Sequence, residues 1–189
     1  MGCLQVNRRD EGFEEAFRQS GTLVEAAAMG DAEAWGALVD CYGPKVWSVT
    51  KAFGLSPEDA ADVSRAAWTR MAERIHLLPK TEAFGASLLT IAKRECLALV
   101  RRSHKNVPGA DAGCEGELWR AFSHLPPASQ LLLRLLFSDP PLSYEEIAAV
   151  TGMRMASIGP ARARCLARLR TVHQGNAAES RRTPARNGG

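Results

Sequence analysis

The reading of the fold turns on SYEEIAAVTGMRMASIGPARARCLARLR, residues 143–170. Ser143 followed three residues later by Glu146 is a capping box, in which hydroxyl and carboxylate each satisfy a backbone N–H at a helix start. Ile147, Ala148 and Val150 give that helix an apolar side. Thr151-Gly152-Met153 interrupts the pattern, and glycine takes a positive φ at little cost. Apolar spacing resumes with Ile158, Cys165 and Leu169, so a second helix is predicted to start near residues 155–157. Pro160 is expected within its first turn or so, where a missing N–H costs little. The predicted unit is a helix-turn-helix.

Its second helix is basic. Residues 154–170 hold five arginines and no acid. A second basic run spans residues 93–105, with five lysines or arginines against one acid, Glu95. Acids gather elsewhere, at Asp10, Glu11, Glu14 and Glu15 and again at Glu58, Asp59 and Asp62. The net charge of +3 does not by itself announce nucleic acid. Two separate basic helices do point to two contacts along one polyanion, although a solvated helix face explains either run taken alone. Small residues at the start of the second helix (Ala156, Ser157, Gly159, Ala161) let its backbone approach a major groove, where arginines meet phosphates or guanine edges. The competing reading is an αα-hairpin of a helical bundle whose arginines are only solvated.

Working outward, the rest of the chain is also helical in pattern. A short apolar helix runs over residues 23–30, and Asp31 caps the next, with Ala34, Trp35, Leu38, Val39 and Tyr42 on one face. Pro44 is expected to open a further helix that carries Val46, Trp47, Val49 and Phe53. Ser56-Pro57-Glu58-Asp59 is a strong start signal, with a cap, a proline at the first position and acids in the first turn. That helix is predicted to reach about residue 78, before Pro79, with Ala61, Trp68, Met71 and Ile75 at helical spacing. Another spans roughly residues 81–102 with Leu88, Ile91, Ala92, Cys96 and Leu97 as its apolar side. Residues 103–116 are rich in breakers and read as a linker. Helices resume at 117–123 and 127–137, and Asp139-Pro140-Pro141 is a turn.

The predicted fold is therefore all-α: two small helical domains, residues 21–102 and 117–173, joined by a short flexible linker. Residues 1–20 are expected to be flexible and residues 174–189 a disordered tail. Hydrophobic residues make up 46% of the chain, enough for a core, but no apolar run approaches the ~18–20 residues of a membrane span. The N-terminus lacks an apolar signal segment, and Val6 breaks the myristoylation pattern that Met1-Gly2-Cys3 begins. A cytoplasmic protein with no membrane insertion is expected. The five cysteines form no CxxC pair and the four histidines (His76, His104, His124, His173) are scattered. Reduced thiols, no metal, no cofactor, no catalytic residue and no enzymatic activity are the expectation.

In order along the chain, GDAEAWGALVDCYGPKVWSV, SPEDAADVSRAAWTRM, AKRECLALVRR, LPPASQLLLRLLFSDPPLSYEEIAAVTGM and SIGPARARCLARLR resemble a known family. They look like regions 2 and 4 of a bacterial RNA polymerase sigma-70 family sigma factor of the extracytoplasmic-function (ECF) group, in its actinobacterial form. The resemblance covers about residues 23–102 and 118–172. It implies a transcription initiation factor whose partners are core RNA polymerase (β′ clamp helices and β flap), promoter DNA and, further, an anti-sigma factor. It implies that Asp59, Asp62, Val63 and Arg65 meet the polymerase, with Trp68 in the core instead. Phe84, Ser87, Lys93, Arg94, Arg101 and Arg102 would meet the −10 element, and Arg154, Ser157, Arg162 and Arg164 the −35 element. Strand opening would follow from differential binding, with flipped bases and single strand held better than duplex.

Three features depart from that pattern. Arg65 stands where the subgroup usually has Gln, and Ser87 where it usually has Trp, removing an aromatic from base stacking. Residues 103–116 span at most roughly 46–50 Å when extended, against promoter elements about 17 base pairs, or roughly 58 Å, apart. Two other readings compete: a stand-alone helix-turn-helix regulator, and a degenerate sigma-like protein that binds polymerase or an anti-sigma factor without initiating.

Overall fold

Gly30 has φ 92°, and the next residue, Asp31, turns the chain into α2 (Ala32–Ala52). The Asp31 carboxylate accepts from the N–H groups of Glu33 at 2.9 Å and Ala34 at 3.1 Å, as a capping acid should. This computed structural model describes residues 21–78, 83–103 and 116–182. The segments 1–20 and 183–189, Pro79 and most of the expected linker (residues 104–115) lie outside the described residues.

Before α2 comes α1, residues 21–28. Pro44 does not open a new helix, as its sequence context predicts, but lies inside α2. One rung to the Asp40 carbonyl is lost there, and the fully buried Leu38, Val46 and Val49 on either side keep the axis continuous. The next helix, α3 (Pro57–Ala72), starts where Ser56 Oγ accepts from Asp59 N–H at 3.2 Å. It ends earlier than residue 78. A 3₁₀ turn at Ile75–Leu77 tightens the chain ahead of Pro79, which disfavours helical geometry in the residue before it. Helix α4 (Phe84–Ser103) buries Phe84, Leu88, Ala92 and Cys96, four positions each four residues apart, against α2 and α3.

The second unit comprises α5 (Glu117–Ser123), α6 (Pro127–Leu136), α7 (Tyr144–Thr151) and α8 (Met155–Arg182). The capping box is formed in full: Ser143 Oγ accepts from Glu146 N–H at 3.1 Å, and Glu146 Oε2 accepts from Ser143 N–H at 2.8 Å. Gly152, at φ 76°, ends α7. Two expectations are corrected here. Pro160 is the sixth residue of α8, beyond the four N–H groups that lack intrahelical partners, so one bond to Ala156 is forgone. Helix α8 also continues through Arg182 instead of giving way to a tail at 174, because extending a nucleated helix adds one bond per residue fixed.

Among the described residues every regular element is helical, in two units as predicted. The units touch: α4 lies against α7 and α2 against α6, and their buried side chains form one cluster. Cys96 is in that cluster, and burial pushes its thiol up to about 12, opposed by its own backbone hydrogen bond. Cys165 is also buried and Cys41 exposed, while Cys3 and Cys114 lie outside the described residues.

Candidate nucleic-acid and polymerase interfaces

The outer face of α3 is charged because its apolar residues point inward. Ala60, Val63, Ala67 and Met71 are buried, which leaves Glu58, Asp62 and Arg65 toward solvent and Asp59 half-exposed. Val63 is therefore corrected from a polymerase-facing residue to a core residue, 3% exposed on the inward stripe. Asp62 and Arg65 pair with each other one turn apart and are both well exposed. An exposed pair of this kind contributes little stability, so it can exchange its partner at an interface at low cost. Trp68 is half-buried, edge-on to Trp35 with centroids 5.7 Å apart, as expected of a core residue.

On α4 the six candidate residues divide into distinct places. Phe84 is 1% exposed, with its ring 5.3 Å from Tyr42 and 6.3 Å from Trp68. It cannot meet a −10 base; its position one turn before Leu88 places it on the inward stripe. Ser87 and Arg94 come together, lining with Arg74, Leu77, Thr90 and Ile91 a cavity of about 480 Å³. Arg101 and Arg102 are exposed at the other end of the helix. Lys93 is half-buried beside the turn of the helix-turn-helix: a Cβ added at Gly152 would lie 3.8 Å from its Nζ.

On α8, Ile158 and Cys165 point inward and Ser157 is half-buried, while Arg162 and Arg164, and Arg154 in the turn just before the helix, stand outward. The Arg162 guanidinium lies 5.7 Å from the Phe137 ring centroid, which restrains one of the three candidate arginines through a cation–π contact. The helix-turn-helix thus presents arginines around the start of its second helix, the end that enters a groove in this motif.

Sequence reading missed several features that only tertiary contact creates. Arg70 on α3 pairs with the half-buried Glu95 on α4 at 2.9 Å, and Lys45 on α2 with Glu146 on α7 at 2.7 Å. Trp47, Leu55, Trp119, Phe122, Phe137 and Leu169 line a groove of about 820 Å³ between the two units, with Lys51 and Arg134 also on its walls. The individual apolar residues are visible in sequence, but a groove between elements far apart in the chain is not. Among the described residues no group of His, Cys, Asp or Glu is placed to hold a metal ion.

The described residues form a helical unit bearing a charged helix and a basic helix, followed by a helix-turn-helix. Residues 38–106 match the family model described as Sigma-70 region 2. This span, little more than a third of the chain, runs from within α2 through α3 and α4, so this part of the chain is similar to region 2 of sigma-70 factors. A chain of the solved complex of CnrH with the cytosolic domain of CnrY is similar in fold, with a TM-score of 0.62 and 20% identity over 82% of this chain and 97% of that one. A chain of the RsbN–BldN complex aligns with a TM-score of 0.38 and 26% identity, covering 79% of this chain and 98% of that one. A search of the curated proteins finds no match.

Proposed function

We propose that this chain is an alternative sigma factor of the ECF group that binds core RNA polymerase and directs it to promoters carrying its own −10 and −35 elements. The observation that carries this reading is the match to region 2, which spans both the charged face of α3 and the basic helix α4. In this reading Asp62 and Arg65, with Asp59, dock on the polymerase. The cavity beside Ser87 and Arg94 receives a base flipped from the −10 strand, and Arg101 and Arg102 hold the separated strand by its phosphates. Arg154, Ser157, Arg162 and Arg164 at the start of α8 meet the −35 duplex in the major groove. The chain needs no reacting group of its own, because it stabilises the opened promoter while the polymerase does the chemistry.

The groove between the units suits an amphipathic helix of a regulatory partner of the anti-sigma kind. Its walls are mainly apolar and Lys51 and Arg134 would favour acids on that helix. CnrH, similar in fold, is itself solved with the cytosolic domain of CnrY. A cytoplasmic location goes with this function, and none of the described helices is long and apolar enough to cross a membrane.

Single-round transcription with sigma-free core polymerase on a promoter library tests the proposal. Specific transcripts sharing two sequence elements are expected. Polymerase binding without any transcript would replace initiation by sequestration, and the absence of polymerase binding would leave a stand-alone DNA-binding regulator.

A further inference from the structure

Ser87, Thr90, Ile91 and Arg94 recur at helical spacing on one face of α4 and form one wall of the cavity of about 480 Å³. The other wall comes from a different element: Arg74 precedes the 3₁₀ turn and Leu77 lies in it. The volume is that of a small-ligand site, ~300–1,000 Å³. None of the described residues lining the cavity is acidic, and Glu95, next to Arg94, is already paired with Arg70 at 2.9 Å. Two guanidinium groups, both exposed, thus offer donors here with no carboxylate on the described walls to take them. Thr90 supplies the opposite polarity. Its hydroxyl proton goes to the Ala86 carbonyl at 2.8 Å, which leaves its oxygen to accept. Leu77, 69% exposed, gives the cavity edge an apolar surface, and Ser87 offers no ring.

We propose that this cavity selects guanine among the four bases, with Arg74 reading O6 and N7 and Thr90 accepting from N1–H or the N2 amine. The selection rests on the proposed reading of the cavity as the receiver of a flipped −10 base; it names the base and adds Arg74 to the residues that choose it. Stacking on an aromatic ring tolerates any base, because every base has a π-face. A cavity without a ring holds a base by its edges, and the edges differ.

A guanidinium fork takes two acceptors side by side, and guanine presents O6 and N7 together. Adenine has an amine beside N7, and thymine a methyl group beside O4, so neither accepts both prongs. Cytosine carries its acceptors and its amine on one edge, so Arg74 and Thr90, on different walls, would compete for that edge. Guanine places N1–H and its amine on the edge away from N7, which gives each wall an edge of its own. Arg94 is one turn beyond Thr90 on the same wall, and it is left to hold the phosphate of the captured nucleotide.

The test uses the full chain and short oligothymidine strands that carry one central dG, dA or dC. In fluorescence anisotropy the dG strand should bind about tenfold more tightly than the others, the discrimination of one bidentate pair. A strand with 7-deazaguanine, which lacks only the N7 acceptor, should fall to the level of the dA strand. R74K keeps the charge and loses the fork, so it should bring the dG strand to that same level. R94M should weaken every strand alike and reduce the salt slope of log K by about 0.7. Circular dichroism verifies that each variant remains helical. The absence of a dG preference, with all strands bound equally or none bound, would overturn the proposal, and so would a preference for dC. A dG preference that survives both 7-deazaguanine and R74K would overturn the assignment to Arg74. The promoter screen separates these outcomes from the sigma-factor reading. Specific transcripts from promoters with no guanine in the −10 element would keep that reading and overturn guanine selection. A dG preference in a chain that binds no polymerase would remove the sigma-factor reading and leave the guanine site standing.

Discussion

Phe84 packs against both Tyr42 and Trp68, so truncating it leaves a void bounded by rings that cannot all close on it. Phe84→Ala is expected to cost about 3–5 kcal/mol, read as a lower urea midpoint at unchanged slope. A residue serving DNA alone would show no such loss. The sequence held the information needed to place Phe84 in the core, since Leu88, Ala92 and Cys96 follow it at steps of four. The family resemblance instead gave Phe84 a place at the −10 element, although the helix predicted over residues 81–102 already contained it. Cys96 makes a second residue-level prediction. Its thiol, pushed up to about 12 by burial, should resist a disulfide reagent at pH 8 in the native chain, while the exposed Cys41 reacts. The folded value exceeds the ordinary 9.0, so above pH 9 the unfolded chain releases a proton that the native chain keeps. Stability contributed by the neutral thiol is therefore complete below about pH 9 and is lost as pH rises toward 12, at up to about 1.4 kcal/mol per pH unit. Cys96→Ala should flatten that part of the stability–pH curve.

At the scale of elements, α7 and its turn were the most legible part of the chain because their signals are local. The capping box, the glycine at positive φ and the inward Ile147, Val150 and Ile158 all lie within sixteen residues of one another. Ser143→Ala should destabilise the chain by about 1 kcal/mol in denaturant titration. Gly152→Ala should cost about 1–2 kcal/mol through its left-handed backbone, with only Lys93 Nζ, at 3.8 Å, near the added carbon. The start of α8 carries a functional prediction. Arg162→Ala with Arg164→Ala should weaken binding to −35 duplex and reduce the salt slope of log K by about two, if both arginines meet phosphates. Unchanged affinity and slope in fluorescence anisotropy would remove α8 from the groove. Element ends were less legible: Pro44 and Pro160 were read as start markers, yet each helix passes through its proline because buried neighbours on both sides hold it.

Across the whole molecule, the two-unit helical organisation could be read from periodicity and breakers, and the exposed Asp62, Arg65, Arg94, Arg101, Arg102, Arg154, Arg162 and Arg164 follow from helix faces. Neither the Lys45–Glu146 contact nor the groove could be read, because their partners meet only when the units pack; Lys45 and Glu146 are 101 residues apart. A prediction at this scale separates the two ends of the chain. Asp62→Lys with Arg65→Glu should abolish binding to core polymerase in a pull-down, while binding of free −35 duplex by the second unit stays within about twofold, since charges farther apart than a Debye length of ~8–10 Å are largely screened. The Arg70–Glu95 pair adds a consequence of another kind. It clamps α3 to α4 across a shared core, so the charged face of α3 and the basic helix α4 form one rigid gauge. On the proposed function, that gauge fixes the distance from the −10 element to the transcription start, whatever the second unit reads. Tolerance for altered spacing then belongs wholly to the upstream side, which the helix-turn-helix would contact.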